Sequence, residues 1–84
     1  MKNKDVIGKT MTLAEVPPGF VIKFNSNFQS GMMYVKTGKP SKWNPSNGFE
    51  IIRKHDHSAA WDFGRSECIV TGYAGIDFKE ETFL

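Results

Sequence analysis

The stretch Pro17-Pro18-Gly19-Phe20-Val21-Ile22-Lys23-Phe24-Asn25-Ser26-Asn27 decides how this chain folds. Phe20, Ile22 and Phe24 alternate with Val21 and Lys23, the period of two that sends successive side chains to opposite faces of a β-strand. Neither proline can donate to a ladder or continue a helix, so the pair ends whatever precedes it, and Asn25-Ser26-Asn27 supplies the turn that follows. Working outward, the same period returns. Met33, Val35 and Thr37 alternate with Tyr34 and Lys36, and Cys68 and Val70 alternate with Ile69, Thr71 and Tyr73. Phe49-Glu50-Ile51-Ile52-Arg53-Lys54 sets Phe49 and Ile51 on one face, with Ile52 out of step. Weaker strands are expected at Ala60–Phe63 and near Ile76–Phe78, while Thr10–Val16 reads as either a strand or a single helical turn.

Turn signals separate these runs at Ser30-Gly31, Gly38-Lys39-Pro40, Asn44-Pro45-Ser46-Asn47-Gly48, Gly64-Arg65-Ser66 and Gly72. Eleven Val/Ile and seven Phe against only two Leu favour a pleated sheet over a helix bundle. The expectation is a mostly β chain: a small antiparallel barrel or bent sheet, SH3-like or OB-like, with one short helical turn. Its 84 residues suit a single domain over 1–84, with an acidic tail, 77–84, that is expected to be only partly ordered. The lone Cys68 excludes an intramolecular disulfide and suits a reducing compartment. The basic start lacks the apolar run of a signal peptide, and stretches such as Phe20-Val21-Ile22 are far too short to cross a membrane. A soluble, cytoplasmic protein is expected.

Charge is sorted along the chain. From Met1 to Lys54 nine Lys/Arg face three acids, a net +6, whereas from His55 to Leu84 two Lys/Arg face six acids, a net −4. Opposite fields on one small protein bear on partners and on self-association, and a homo-oligomer is one reading. The fields meet at His55-Asp56-His57, where two imidazoles two residues apart would share a face of an extended strand. His55 and His57 are therefore metal-ligand candidates, but a site needs a third ligand from Glu50, Asp62, Glu67 or Cys68, and the spacing matches no ligand signature. The other readings are a polar strand end beside a turn, and a pH sensor. Cys68, in an apolar run, reads as a small core hydrophobe before it reads as a nucleophile. Gly38-Lys39-Pro40-Ser41-Lys42 lacks the helix that a phosphate loop requires. No enzymatic constellation and no cofactor site is expected.

The strongest functional signal is the interleaving of cations and aromatic rings. Lys36, Lys39, Lys42, Trp43, Arg53 and Lys54 lie close in sequence, with Tyr34 adjoining and Phe49, His55, His57 and Trp61 interspersed. Cations contact phosphates, and exposed rings give unpaired bases a surface to stack on. Trp43 tips the polar loop Gly38–Gly48, either exposed or folded back as a lid on the core. The favoured expectation is a non-enzymatic protein that binds single-stranded nucleic acid, RNA in particular, through Tyr34, Lys36, Lys39, Lys42, Trp43, Arg53 and Lys54.

The succession Thr12-Leu13-Ala14-Glu15-Val16-Pro17-Pro18-Gly19, leading into Phe20–Phe24 and then Met33-Tyr34-Val35-Lys36-Thr37-Gly38, resembles small β accessory proteins of bacteriophages and bacteria. The resemblance spans Thr10 to Gly38 and carries no catalytic residue. It implies a short accessory protein in the host cytoplasm. From it comes the alternative expectation of a protein that binds and inhibits or redirects a host enzyme through its charged faces.

Overall fold

The structure, a computed structural model, describes residues 4–25, 31–75 and 82–83. Seven strands form one antiparallel sheet: β1 Thr10–Thr12, β2 Phe20–Phe24, β3 Tyr34–Pro40, β4 Gly48–Arg53, β5 Ala59–Phe63, β6 Glu67–Tyr73 and β7 Thr82–Phe83. Two single-turn 3-10 helices, η1 Lys4–Val6 and η2 Leu13–Glu15, complete the described elements. The strand order is β1-β6-β2-β3-β4-β5, with β7 pairing on β6. The sheet is bent and, among the described residues, is not closed into a barrel by strand pairing. Its two ends are nonetheless tied together: Leu13 N donates to Ser66 O at 2.8 Å and Ala14 N to Gly64 O at 2.9 Å. The segment after β1 is thereby held against the turn between β5 and β6.

Thr10–Val16 turns out to be both alternatives in succession, a three-residue strand and then η2. The changeover is fixed at Thr12, whose N–H and hydroxyl both donate to Glu15 Oε1, at 3.1 and 3.0 Å. These bonds hold the Glu15 carboxyl below its usual range. The expected turn at Gly38-Lys39-Pro40 is instead the irregular last part of β3. The β3–β4 register slips between Lys36 and Pro40, and Gly38 absorbs the bulge with φ of 91°. A Cβ at Gly38 would also sit 3.0 Å from Pro18 Cγ, so the site needs glycine for space as well as for backbone angle. The tail, 77–84, and the strand expected near Ile76–Phe78 lie outside the described residues, apart from the Thr82–Phe83 backbone paired with Gly72 and Tyr73.

One face of the sheet and η2 enclose the main core of Leu13, Val16, Phe20, Ile22, Phe24, Tyr34, Ile51, Cys68 and Val70. Edge-on ring pairs, Phe20–Tyr73 at 4.7 Å and Phe24–Tyr34 at 5.6 Å, knit it together. Val21, Val35 and Ala74 form a second buried cluster, because Val21 and Val35 alternate with the core-facing Ile22 and Tyr34.

Lys36 lies inside this core, 4% exposed. It occupies the inner face of β3 opposite Ile51, and its Nζ donates to Leu13 O at 2.7 Å and to Ala14 O at 3.2 Å. The ammonium also stands 4.4 Å from the centre of the Phe49 ring. Burial lowers its pKa below the ordinary lysine value, while two carbonyls and a ring face replace the lost water. Replacing Lys36 with Met keeps the aliphatic stem but takes the ammonium from both carbonyls, of which Leu13 O keeps the bond from Val16 N. Lys36→Met is expected to destabilise the fold by about 1–3 kcal/mol, seen in urea denaturation as a lower midpoint with an unchanged slope.

Candidate nucleic-acid interface

Strand alternation sorts the expected contact residues onto different faces and ends of the sheet. Tyr34 pairs with Arg53, Val35 with Ile52 and Lys36 with Ile51, so Tyr34, Lys36 and Arg53 belong to the inner face. Tyr34 is buried in the core and Lys36 is bonded to η2, which corrects the expectation that both contact nucleic acid. Arg53 is half-buried: its Nη1 donates to Ser58 Oγ at 3.3 Å, and its Nε is buried without a hydrogen-bond partner among the described residues. Lys39, Lys42 and Trp43 cluster where β3 leads into β4, whereas Arg53 and Lys54 sit at the far end of β4. That strand has six residues, roughly 17–20 Å, so the seven positions do not form one patch.

The loop between β3 and β4, residues 41–47, is braced from several sides. Ser41, almost fully buried, accepts hydrogen bonds on Oγ from Trp43 N at 3.0 Å and Asn44 N at 3.1 Å, while its own N donates to Gly48 O. Asn44 O accepts from Asn47 N and from Gly48 N, the latter at 2.7 Å, and Asn47 O accepts from Gly64 N at 2.8 Å. On this support Trp43 is 61% exposed, which decides against a lid over the core. Lys39 and Lys42 beside it are exposed.

Sequence reasoning underrated a second group of rings. In β5, Trp61 faces Glu50 and Phe63 faces Gly48 across the β4 ladder, so the two aromatics share the outer face. Their rings meet edge-on at 4.9 Å, and the Arg65 guanidinium lies 4.6 Å from the Phe63 ring. Gly48 makes room for them, since a Cβ there would come within 2.5 Å of the Trp61 ring. The readable signal was the alternation Ala59-Trp61-Phe63, masked by the weak apolar character of the run. At the other end of this face, Gly31, Met32, Met33, Lys54 and His55 line an open depression of about 270 Å³.

The histidines do not extend a strand. β4 stops at Arg53, and a turn carries both side chains to the surface, with His57 at φ of 61° and its N–H donating to Arg53 O. Asp56 between them accepts from Ser58 N at 3.0 Å and Ser58 Oγ at 2.7 Å, bonds that lower its pKa. The acids considered as further metal ligands are engaged elsewhere: Glu50 with Thr37 Oγ1, Asp62 with Ser66 Oγ and Phe63 N, Glu67 with Asn25 Nδ2. No three metal-ligating side chains converge among the described residues. Nor are the charged halves of the sequence separate bodies, because β6 of the acidic half is inserted between β1 and β2 of the basic half. No helix among the described residues is long and apolar enough to cross a membrane.

No family model matches the chain, and neither the curated proteins nor the solved structures yield a match.

Cys68 has no exposed surface, and its thiol donates to Met11 O at 3.4 Å. Burial pushes its pKa from 9.0 to about 11, the reverse of what activates a nucleophile. Between those values the unfolded chain loses the thiol proton while the folded chain keeps it, so the contribution of Cys68 to stability is full below pH 9 and declines toward pH 11. The stability difference between the parent protein and Cys68→Ala is expected to shrink by about 2–3 kcal/mol across that window, measured by urea denaturation at each pH.

Proposed function

We propose that this protein is a non-enzymatic binder of single-stranded nucleic acid, RNA in particular, with its primary contact on the loop between β3 and β4. The observation that carries this reading is the 61% exposed Trp43 on a loop braced by the buried Ser41. An indole held in water by a rigid support gains little for the fold and is pre-organised to stack on a base. Lys39 and Lys42 flank it as exposed cations suited to phosphates. Single strands suit this arrangement because their bases can be splayed onto a ring, whereas a duplex hides them.

Titration of a fluorescent oligouridylate against salt tests the reading. Binding at low salt should weaken as salt rises, and neutralising Lys39 or Lys42 should each reduce the slope of log affinity against log salt by about 0.7. Trp43→Ala should cost about 1–3 kcal/mol of binding while changing stability by no more than about 0.5 kcal/mol. No binding at low salt, or binding indifferent to salt, would sink the proposal.

A further inference from the structure

The outer face of β3, β4 and β5 carries a row of groups that the loop contact does not use. Lys54 N donates to Met33 O at 3.0 Å, continuing the register by which Val35 faces Ile52 and Ile52 faces Ala59. Glu50 faces Trp61 and Gly48 faces Phe63 further along the same face. Read from one end to the other, this face offers Met33 and Lys54, then Ile52 and Ala59, then Trp61, then Phe63 with Arg65 upon it. Met33 is 36% exposed, Ala59 and Arg65 are exposed, and Ile52, Lys54, Trp61 and Phe63 are half-buried. The buried Val21, Val35 and Ala74 cluster bounds it on the β2 side.

The charges on this floor are selective. Cations stand at both ends, Lys54 beside the depression formed with Met32, Met33 and His55, and Arg65 over Phe63. Between them the register places one acid, Glu50, which accepts from Thr37 Oγ1 at 2.7 Å. Asp62, next to Trp61 on β5, faces inward beside Phe49 and accepts from Ser66 Oγ. Flat and branched apolar groups with cations at either end are complementary to a chain whose bases are apolar on their faces and whose linkages are anionic.

We propose that the outer face of β3–β4–β5 is a second nucleic-acid contact, on which a single strand held at Trp43 continues across Phe63 and Trp61 toward the Met33–Lys54 depression. The inference rests on the function proposed above and adds the track and its far end. Lys54 and Arg65 meet backbone phosphates, and Trp61 and Phe63 meet bases.

The test uses the intact protein and a fluorescein-labelled oligouridylate of about twelve nucleotides, long enough to run along the face. Lys54→Gln and Arg65→Gln should each weaken binding about fivefold or more and lower the salt slope by about 0.7, while Lys9→Gln, beside the opposite edge strand, should do neither. Thermal melts check that the variants fold. In parallel, amide and indole signals of the unaltered protein are followed by NMR during the titration, which covers the case of a variant that does not fold. Shifts at Ile52, Ala59, Trp61 and Phe63 as well as at Trp43 support the track. Shifts confined to residues 41–47, with unchanged affinity in both variants, overturn it and leave the loop contact standing. Absence of any binding at low salt removes both. Shifts on this face produced by raising protein concentration alone, with a dimer in sedimentation, overturn it in favour of a contact between copies of the chain.

Discussion

A buried ammonium holds the two ends of this sheet in relation to each other. β3 lies in the middle of the strand order, and η2 follows the edge strand β1, yet Lys36 of β3 donates to the carbonyls of Leu13 and Ala14 in η2. The same short helix donates Leu13 N and Ala14 N to the turn between β5 and β6. Centre, first edge and last edge are thus joined through three consecutive residues, Leu13 to Glu15, which Thr12 in turn pins through the Glu15 carboxylate. Burying a cation is costly, and the cost is offset only where every proton finds an acceptor or a ring face. Leu13 O, Ala14 O and Phe49 provide those partners, so a small sheet with an open strand order keeps a defined bend.

This arrangement also decides which cations remain for a partner. Lysines and arginines in a strand count as surface charge only if their position in the alternation points outward. Lys36 fails that condition because it pairs with Ile51, and Arg53 is drawn inward opposite Tyr34. Lys54, one residue later, falls on the other face beside Met33, and Lys39 and Lys42 lie where the ladder becomes irregular and the loop begins. A cluster dense in sequence is therefore spread over two faces and two ends. The acids of the second half are spread likewise, Asp56 and Glu67 exposed and Asp62 half-buried, each accepting a local hydrogen bond.

Much of the sheet was legible from the chain because its strands obey a clean period of two between strong turn signals. Phe20–Phe24 appears with the bounds the alternation implied, β6 contains the run expected of it, and β3 contains all of its run but Met33. What escaped reading depends on contacts distant in sequence. The bulge at Gly38 lies against Pro18, a neighbour that no local pattern announces. The ambiguity of Thr10–Val16 was genuine: β1 and η2 share the segment, and β1 exists as a strand only because β6 pairs with it. Lys36 resembled any other lysine in a polar alternation until a partner twenty-three residues away removed it from water. The aromatic face of β5 was visible in principle in Ala59-Trp61-Phe63, but its pairing with Gly48, which leaves room for the rings, belongs to the folded sheet alone.

The contrast between the two tryptophans shows why the interface is assigned by support and exposure together. Trp61 is half-buried against Gly48 and Phe63, so part of its area already contributes to the fold, and its free edge is what remains for a ligand. Trp43 contributes little to the core, yet the loop beneath it uses a buried serine and several backbone hydrogen bonds to hold its position. Such bonds order the turn at a cost in backbone entropy, and a ring already fixed in place would lose less freedom if a base stacked on it, as the proposed function requires. In the proposed function, Trp43 would set where a strand is first held, and the half-buried rings of β5 would set the direction in which it continues.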